Sequence, residues 1–460
     1  VQPILDRACI ACHDGSNKLA DFTGGRIDKF SGFGESYLNL HPYVHRQGPE
    51  AEIEVLNPYE YHASTSQLVK MLRTGHHGVE LTDKEWGALY NWIDFNAPYH
   101  SKFKANIFKG IEQISRRTEL TEKYAGSGVD WQTEIRNYAD YLAKQPKPSP
   151  VKPERREYKD KEVKVKGWPF DADAAKDMLA KEQQTKKSIE LAPGIVMSFV
   201  RIPAGQFVMG TNRKHSDYSP ANKQEVKKAF WMAEIEVSNE QFRTIFPDHN
   251  SRFVNQLWKD HVHEGYPANN PEQPAIRVSW EEAMAFCKKL SEKTGLKVTL
   301  PTEVQWEWAC RAGSGDDFWY GALNTDFSQY ENMGDKQLNK LAVRGVNPQP
   351  MSPSDPWYKY YTFQPKDNNV DDGNMLMVKG GGYQANPWGL YDMQGNIAEW
   401  TRSDYLPYPY SEKMQGSGSE KVVRGGSWTD HPITATAYYR KSYLPWQKVH
   451  NVGFRVIIED

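Results

Sequence analysis

The chain carries almost no excess charge: 57 Lys and Arg stand against 59 Asp and Glu, a formal net charge of −2 over 460 residues. That balance excludes both the basic footprint of a nucleic-acid-binding protein and a polybasic membrane anchor. No apolar run approaches the roughly 18 to 20 residues needed to span a bilayer. Cysteine is equally scarce, at 4 residues, and only Cys9 and Cys12 stand close together. Cys287 and Cys310 fall in what reads as another domain, so a four-ligand zinc site has too few thiols in reach. The chain begins at Val1, which is expected if a signal peptide or an upstream domain has been removed.

Aromatic residues, by contrast, are plentiful: 15 Trp, 25 Tyr and 18 Phe supply packed cores, while 34 Gly and 28 Pro imply many turns. The length exceeds what one core organises, so two or three domains are expected.

The two neighbouring thiols belong to Cys9-Ile10-Ala11-Cys12-His13. Thiols separated by two residues and followed at once by a histidine have the spacing of c-type haem attachment, two thioether bonds with the imidazole on the iron. Chance would produce it in about one chain in a thousand of this composition. A disulfide or a zinc ion is the other use of such a pair, but adjacent Cys12 and His13 reach one tetrahedral ion poorly. One covalent haem c is therefore expected, held by Cys9, Cys12 and His13. Covalent attachment implies maturation outside the cytoplasm, giving a periplasmic, cell-surface or secreted protein.

A second axial ligand must come from later in the same domain; the candidates are His41, His45, His62, Met71, His76, His77 and His100. The helical run from Ser66 to Arg73 ends at Thr74-Gly75-His76-His77-Gly78, where Gly75 can cap the helix and present the histidines from a turn. Thr82-Asp83-Lys84-Glu85 then opens a second helix with a capping box, followed by Trp86, Leu89, Tyr90, Trp92 and Ile93 at helical spacing. The stretches VQPILDRACIACHD (from Val1), LNLHPYVHRQGPE (from Leu38) and QLVKMLRTGHHGVELTDKEWGALYNWIDFNAPY (from Gln67) resemble the C-terminal haem region of hydrazine synthase alpha-subunit-like proteins. The resemblance implies a distal ligand from the Gly-His turn, His76 first and His77 second. The propeller and second haem domain of that family are not in this sequence, so hydrazine synthesis does not carry over.

Four segments are expected: a haem domain over 1–100, a helical extension over 101–144, a Pro- and charge-rich linker with a short helix over 145–189, and a loop-rich domain over 190–460. In the last, Val200 to Gly210 alternates as a hairpin would, and helices begin at Ser279 and after the N-cap Thr302. Seven motifs follow in order: IPAGQFVMG, EIEVSNEQF, VSWEEAMAFC, LPTEVQWEWACRAG, WGLYDMQGNIAEW, VVRGGSW and NVGFRV. Together they resemble the sulfatase-modifying-factor family, relatives of the formylglycine-generating enzyme with a C-type-lectin-like fold. The fold class is thus α+β multidomain: a small helical cytochrome-like domain followed by a lectin-like α+β domain.

That resemblance implies a copper site of two cysteines after the RGGS motif, but the matching positions here are Asp430 and Ala435. It also implies structural calcium. One ion would use Asp392 and Glu399 through side chains and Gly395 and Ile397 through carbonyls; a second would use Asn332, Asp372 and the carbonyls of Met333 and Asn374. The alternative is an Asp and a Glu satisfied by turn amides and an arginine. Cys287 and Cys310 lack their usual partners and are expected as buried free thiols, a mutual bridge being the other outcome. The functional expectation is a monohaem electron-transfer protein with a catalytically silent lectin-like domain, a subunit or oligomer among other redox or haem-bearing proteins. A glycan- or protein-binding scaffold, and a haem enzyme acting on a small nitrogen or oxygen species, are the alternatives.

Overall fold

The structure is a computed structural model. It describes residues 1–16, 19–28, 33–44, 62–73, 75–99, 113–126, 133, 136–137, 163–212, 218–254, 264–344, 349–355, 358, 366–406, 408 and 420–459. The expected ligands His45 and His100, the Pro-rich stretch 145–153 and most of the 101–144 extension lie outside those residues. The chain divides into two compact units, one of Val1–Arg46 and Tyr61–Arg155, the other of Gln47–Glu60 and Arg156–Asp460.

The first unit is helical. Helix α1 (Gln2–Ala8) starts with a proline in its first turn and buries Ile4, Leu5 and Ala8, the one-turn spacing that makes a single apolar face. Helix α2 spans Glu35–Leu40 and α3 Gln67–Arg73, with Leu68, Val69 and Leu72 buried. Helix α4 (Asp83–Asp94) begins at a complete capping box, in which Thr82 accepts from the Glu85 amide and Glu85 reaches back to the Thr82 amide. Its buried residues are Leu89 and Ile93. Glu85 also receives Arg7 of α1 through both carboxylate oxygens, at 2.6 and 2.7 Å. A polar helix α5 covers Gln113–Ala125.

In the second unit, α6 (Ala172–Ala180), capped by Asp171, precedes the first strands: β1 (Lys186–Ala192), β2 (Ile195–Ile202), β3 (Gly205–Met209), β4 (Asn222–Val226) and β5 (Phe230–Ala233). Helices α7 (Asn239–Arg243), α8 (Trp280–Thr294) and α9 (Glu303–Arg311) all begin at capping boxes, with Ser238, Ser279 and Thr302 as caps. The later strands are β6 (Lys297–Thr299), β7 (Ala398–Asp404), β8 (Lys421–Arg424), β9 (Lys441–Tyr443), β10 (Val452–Gly453) and β11 (Ile457–Glu459). Two main sheets result: a five-stranded one in the order β1-β2-β5-β11-β6, and a four-stranded one in the order β9-β8-β7-β10.

The expected hairpin over Val200 to Gly210 does not form. Strand β2 pairs with β1 and β5, while β3 pairs with β4 in a separate sheet. The chain changes sheets at Pro203, whose carbonyl accepts Trp308 Nε1, and at Gly205, where a Cβ would sit 2.6 Å from the Trp308 ring. A large indole therefore occupies the place that a hairpin partner would need.

Candidate haem centre and cation loops

The Cys9–His13 segment continues α1 as a turn. The amides of Cys12 and His13 both donate to the Cys9 carbonyl, at 3.1 and 3.0 Å, so both thiols and the imidazole stand within one helical turn, all half-buried. Burial pushes the Cys9 thiol up to about 11, against the pull of Arg7. The chain then folds back: the Phe22 amide donates to the His13 carbonyl, and the Phe22 ring stacks on the imidazole at 4.7 Å. His13 Nδ1 lies 2.9 Å from the Ala20 carbonyl oxygen. A carbonyl only accepts, so Nδ1 is the donor and Nε2 keeps its lone pair for a metal.

Among the candidate axial histidines, the fold brings His76 to His13. Their ring centroids are 6.3 Å apart. Gly75 (φ 96°) turns the chain out of α3, and His77, itself at φ 50°, places its ring edge-on to His76 at 4.4 Å. His41 instead lies 5.9 Å from the Tyr37 ring, His62 bonds Ser64 and faces Asp94, and Met71 packs against the helical core. The Ala20 carbonyl and the Phe22 ring were not legible as parts of this site, because a short loop carries no periodicity.

In the second unit, Asp392 is buried at φ 54°. Its Oδ2 accepts from the Gly381 amide at 2.6 Å, whereas Oδ1 has no hydrogen-bond partner. Burial raises its carboxyl to about 6, partly offset by that amide and by Arg455. Asn332 donates to the Leu376 carbonyl and leaves Oδ1 without a partner; Asp372 accepts from the Asn374 amide and leaves Oδ2 likewise. Burial lifts Asp372 to about 7. Three of the four side chains expected around calcium thus present a buried oxygen without a hydrogen-bond partner, the hard donor type that calcium takes. Gly395 is pressed against the Asn332 backbone, where a Cβ would meet the carbonyl at 2.6 Å, so the two loops are in contact.

Glu399 behaves differently. Arg455 Nε donates to its Oε1 at 2.7 Å and Trp306 Nε1 to its Oε2 at 2.8 Å. Both oxygens are already engaged. Among the described residues no group of three or more His, Cys, Asp and Glu side chains is arranged around a common metal position. Two further buried carboxylates, Glu236 and Glu331, each leave one oxygen without a partner and are raised well above the ordinary range by burial and by Asp392. Their sequence neighbourhoods gave no sign of this.

At the copper positions, Asp430 is ion-paired with Lys441 and accepts from Ser427 Oγ at 2.6 Å. Ala435 is buried against Gly426. A paired carboxylate and a methyl group replace two soft thiolates, so Cu(I) has no ligand pair here. Cys287 and Cys310 are buried free thiols, both raised by burial.

Taken together, the second unit is a mixed α/β domain with its seven motifs on caps, turns and strand ends around a shared interior. Residues 185–460 match the sulfatase-modifying factor enzyme 1-like domain, more than half of the chain. The chain belongs to that family. It is 25% identical over 314 residues to the formylglycine-generating enzyme of Mus musculus, covering 57% of this chain and 75% of the relative. It is 26% identical over 314 residues to the inactive C-alpha-formylglycine-generating enzyme 2 of Bos taurus, covering 58% and 90% respectively. The structure of PvdO from Pseudomonas aeruginosa aligns with a TM-score of 0.45 at 21% identity, covering 61% of this chain and all of that one.

Proposed function

We propose that this protein is an extracytoplasmic monohaem c-type cytochrome whose sulfatase-modifying-factor domain is catalytically silent, and that it passes electrons within a larger assembly of haem-bearing partners. The carrying observation is the 6.3 Å separation of the His13 and His76 rings, one turn from two half-buried cysteines. Two imidazoles on opposite sides of one metal, each bound at about 2 Å, have centroids roughly 6 Å apart.

The residues fit the group. Cys9 and Cys12 would anchor it and His13 and His76 would hold its iron, with the Ala20 carbonyl fixing the His13 tautomer. A bound c-type haem supplies a reversible one-electron exchange. Two protein ligands leave no open coordination site, which favours electron transfer over chemistry on a small molecule. A single haem holds one electron, so donors and acceptors must be other redox centres. The replacement of the copper thiolates by Asp430 and Ala435 supports silence in the second unit, and the orphaned oxygens of Asn332, Asp372 and Asp392 support structural calcium there. Among the described residues no helix is long and apolar enough to cross a membrane.

The test is an absorption spectrum of the full chain matured with haem, oxidised and reduced, with and without carbon monoxide. A low-spin spectrum indifferent to carbon monoxide is expected, and His76→Ala should make it responsive. A wild-type protein without a Soret band would overturn the reading.

A further inference from the structure

A cleft of about 760 Å³ in the first unit opens beside Gly75, the residue that presents His76. Val79, Leu81, Trp86 and Tyr90 give it apolar walls. The last two are tilted neighbours on α4, with ring centroids 5.3 Å apart. Arg73 also lines the cleft. Its Nε donates to Tyr90 Oη at 2.9 Å, and its guanidinium lies 5.4 Å from the Tyr90 ring and 5.9 Å from Trp86. Among the described residues no carboxylate pairs with Arg73, although Glu80 and Asp83 also border the cleft. A cation held in place over two aromatic rings, beside an apolar cleft, is poised for an anion carried on an apolar body.

The haem itself has that character: a flat apolar macrocycle with two carboxylates on one edge. Thioether bonds to Cys9 and Cys12 fix the opposite edge, and the cleft is lined from the end of α3, the Gly75 turn and α4 rather than from the cysteine segment. We infer that this cleft receives the propionate-bearing edge of the haem, with Arg73 pairing a propionate and the Trp86–Tyr90 pair forming an apolar wall. This rests on the haem reading above. Arg73 then acts as a binding and potential-setting residue: its charge opposes oxidation of the iron, and its pairing keeps the propionate ionised.

The experiment is a spectroelectrochemical titration of the haem-loaded full chain across pH, comparing wild type with Arg73→Gln, Arg73→Lys and Tyr90→Phe. Arg73→Gln should lower the midpoint potential and move the onset of its pH dependence upward, because the propionate loses its cation. Arg73→Lys should restore part of both shifts, and Tyr90→Phe, which removes only the hydrogen bond, should give a smaller shift of the same sign. The low-spin spectrum should persist in all three. Haem-loaded Arg73→Gln with the potential and pH profile of wild type overturns this inference alone and leaves the cytochrome reading standing; Arg73 would then serve an acidic partner instead. Absence of haem from the wild-type chain overturns both.

Discussion

In the second unit a buried cluster of charges pairs internally, whereas in the first unit the aromatic rings are left half covered. Glu303, Glu307, Arg424 and Arg440 have no exposed side-chain surface, and they pair with one another: Arg424 with both glutamates, Arg440 with Glu303. Four tryptophans of this unit, Trp306, Trp308, Trp388 and Trp400, are fully buried, Trp306 with its ring 5.2 Å from the Arg424 guanidinium. The first unit has a buried core of small aliphatic residues with one buried aromatic ring, Phe22, while Tyr43, Trp86, Tyr90 and Trp92 are only partly covered. Its thiols and facing imidazoles sit at that incomplete boundary. On the proposed reading, a covalently attached porphyrin would cover that boundary. The larger unit pairs Glu303 and Glu307 with arginine and leaves buried oxygens of Asn332, Asp372, Asp392, Glu236 and Glu331 without a hydrogen-bond partner.

The contrast can be tested most forcefully at Arg424. Arg424→Met leaves two buried carboxylates without that partner and should destabilise the second unit by about 3 to 5 kcal/mol; urea unfolding followed by near-ultraviolet circular dichroism should report it while the haem band stays unchanged. Unfolding of both units together would erase the distinction. Chelation of calcium should come next, lowering the stability of the second unit by about 2 kcal/mol, read by calorimetry with and without EGTA. No change on chelation would leave the oxygens of Asn332, Asp372 and Asp392 to water or protons.

A smaller effect follows from His249, packed edge-on to Phe242 with Nε2 3.1 Å from Ser251 Oγ. Burial pushes its pKa from 6.5 down to about 4. The unfolded chain therefore takes up the proton first, and the stabilisation present above pH 6.5 is lost as pH falls toward 4. His249→Gln should flatten this acid limb in urea midpoints measured across pH, by about 1 kcal/mol after allowance for the partly exposed ring. Smallest is the exposed cap of α4: Thr82→Ala should cost the first unit about 0.5 kcal/mol, seen in apo-protein unfolding and diminished once haem is attached. An equal loss in both forms would argue against the haem as the completing part of that core.

Several features were legible because they are local. The boxes Thr82-Glu85, Ser279-Glu282 and Thr302-Gln305 join residues three apart, so their helix starts could be read directly. The Cys9–His13 spacing likewise lies within one turn, which the structure forms with the Cys12 and His13 amides on the Cys9 carbonyl. The hairpin expected after Val200 fails for a non-local reason: the Trp308 indole, brought by α9, occupies the corner at Gly205. Glu399 was expected as a cation ligand because the family resemblance implied it, and its partners in the structure, Trp306 and Arg455, come from distant parts of the chain.

By itself, then, the sequence determined the Cys9–His13 spacing, the helix caps and the family of residues 185–460, since each is carried by residue identity at short spacing. Only the tertiary structure decided how near the His76 ring comes to His13, that Glu399 is held by an arginine and an indole, and that Asp430 answers Lys441. Those choices depend on which distant segments pack together, and packing is a property of the whole unit rather than of any stretch within it.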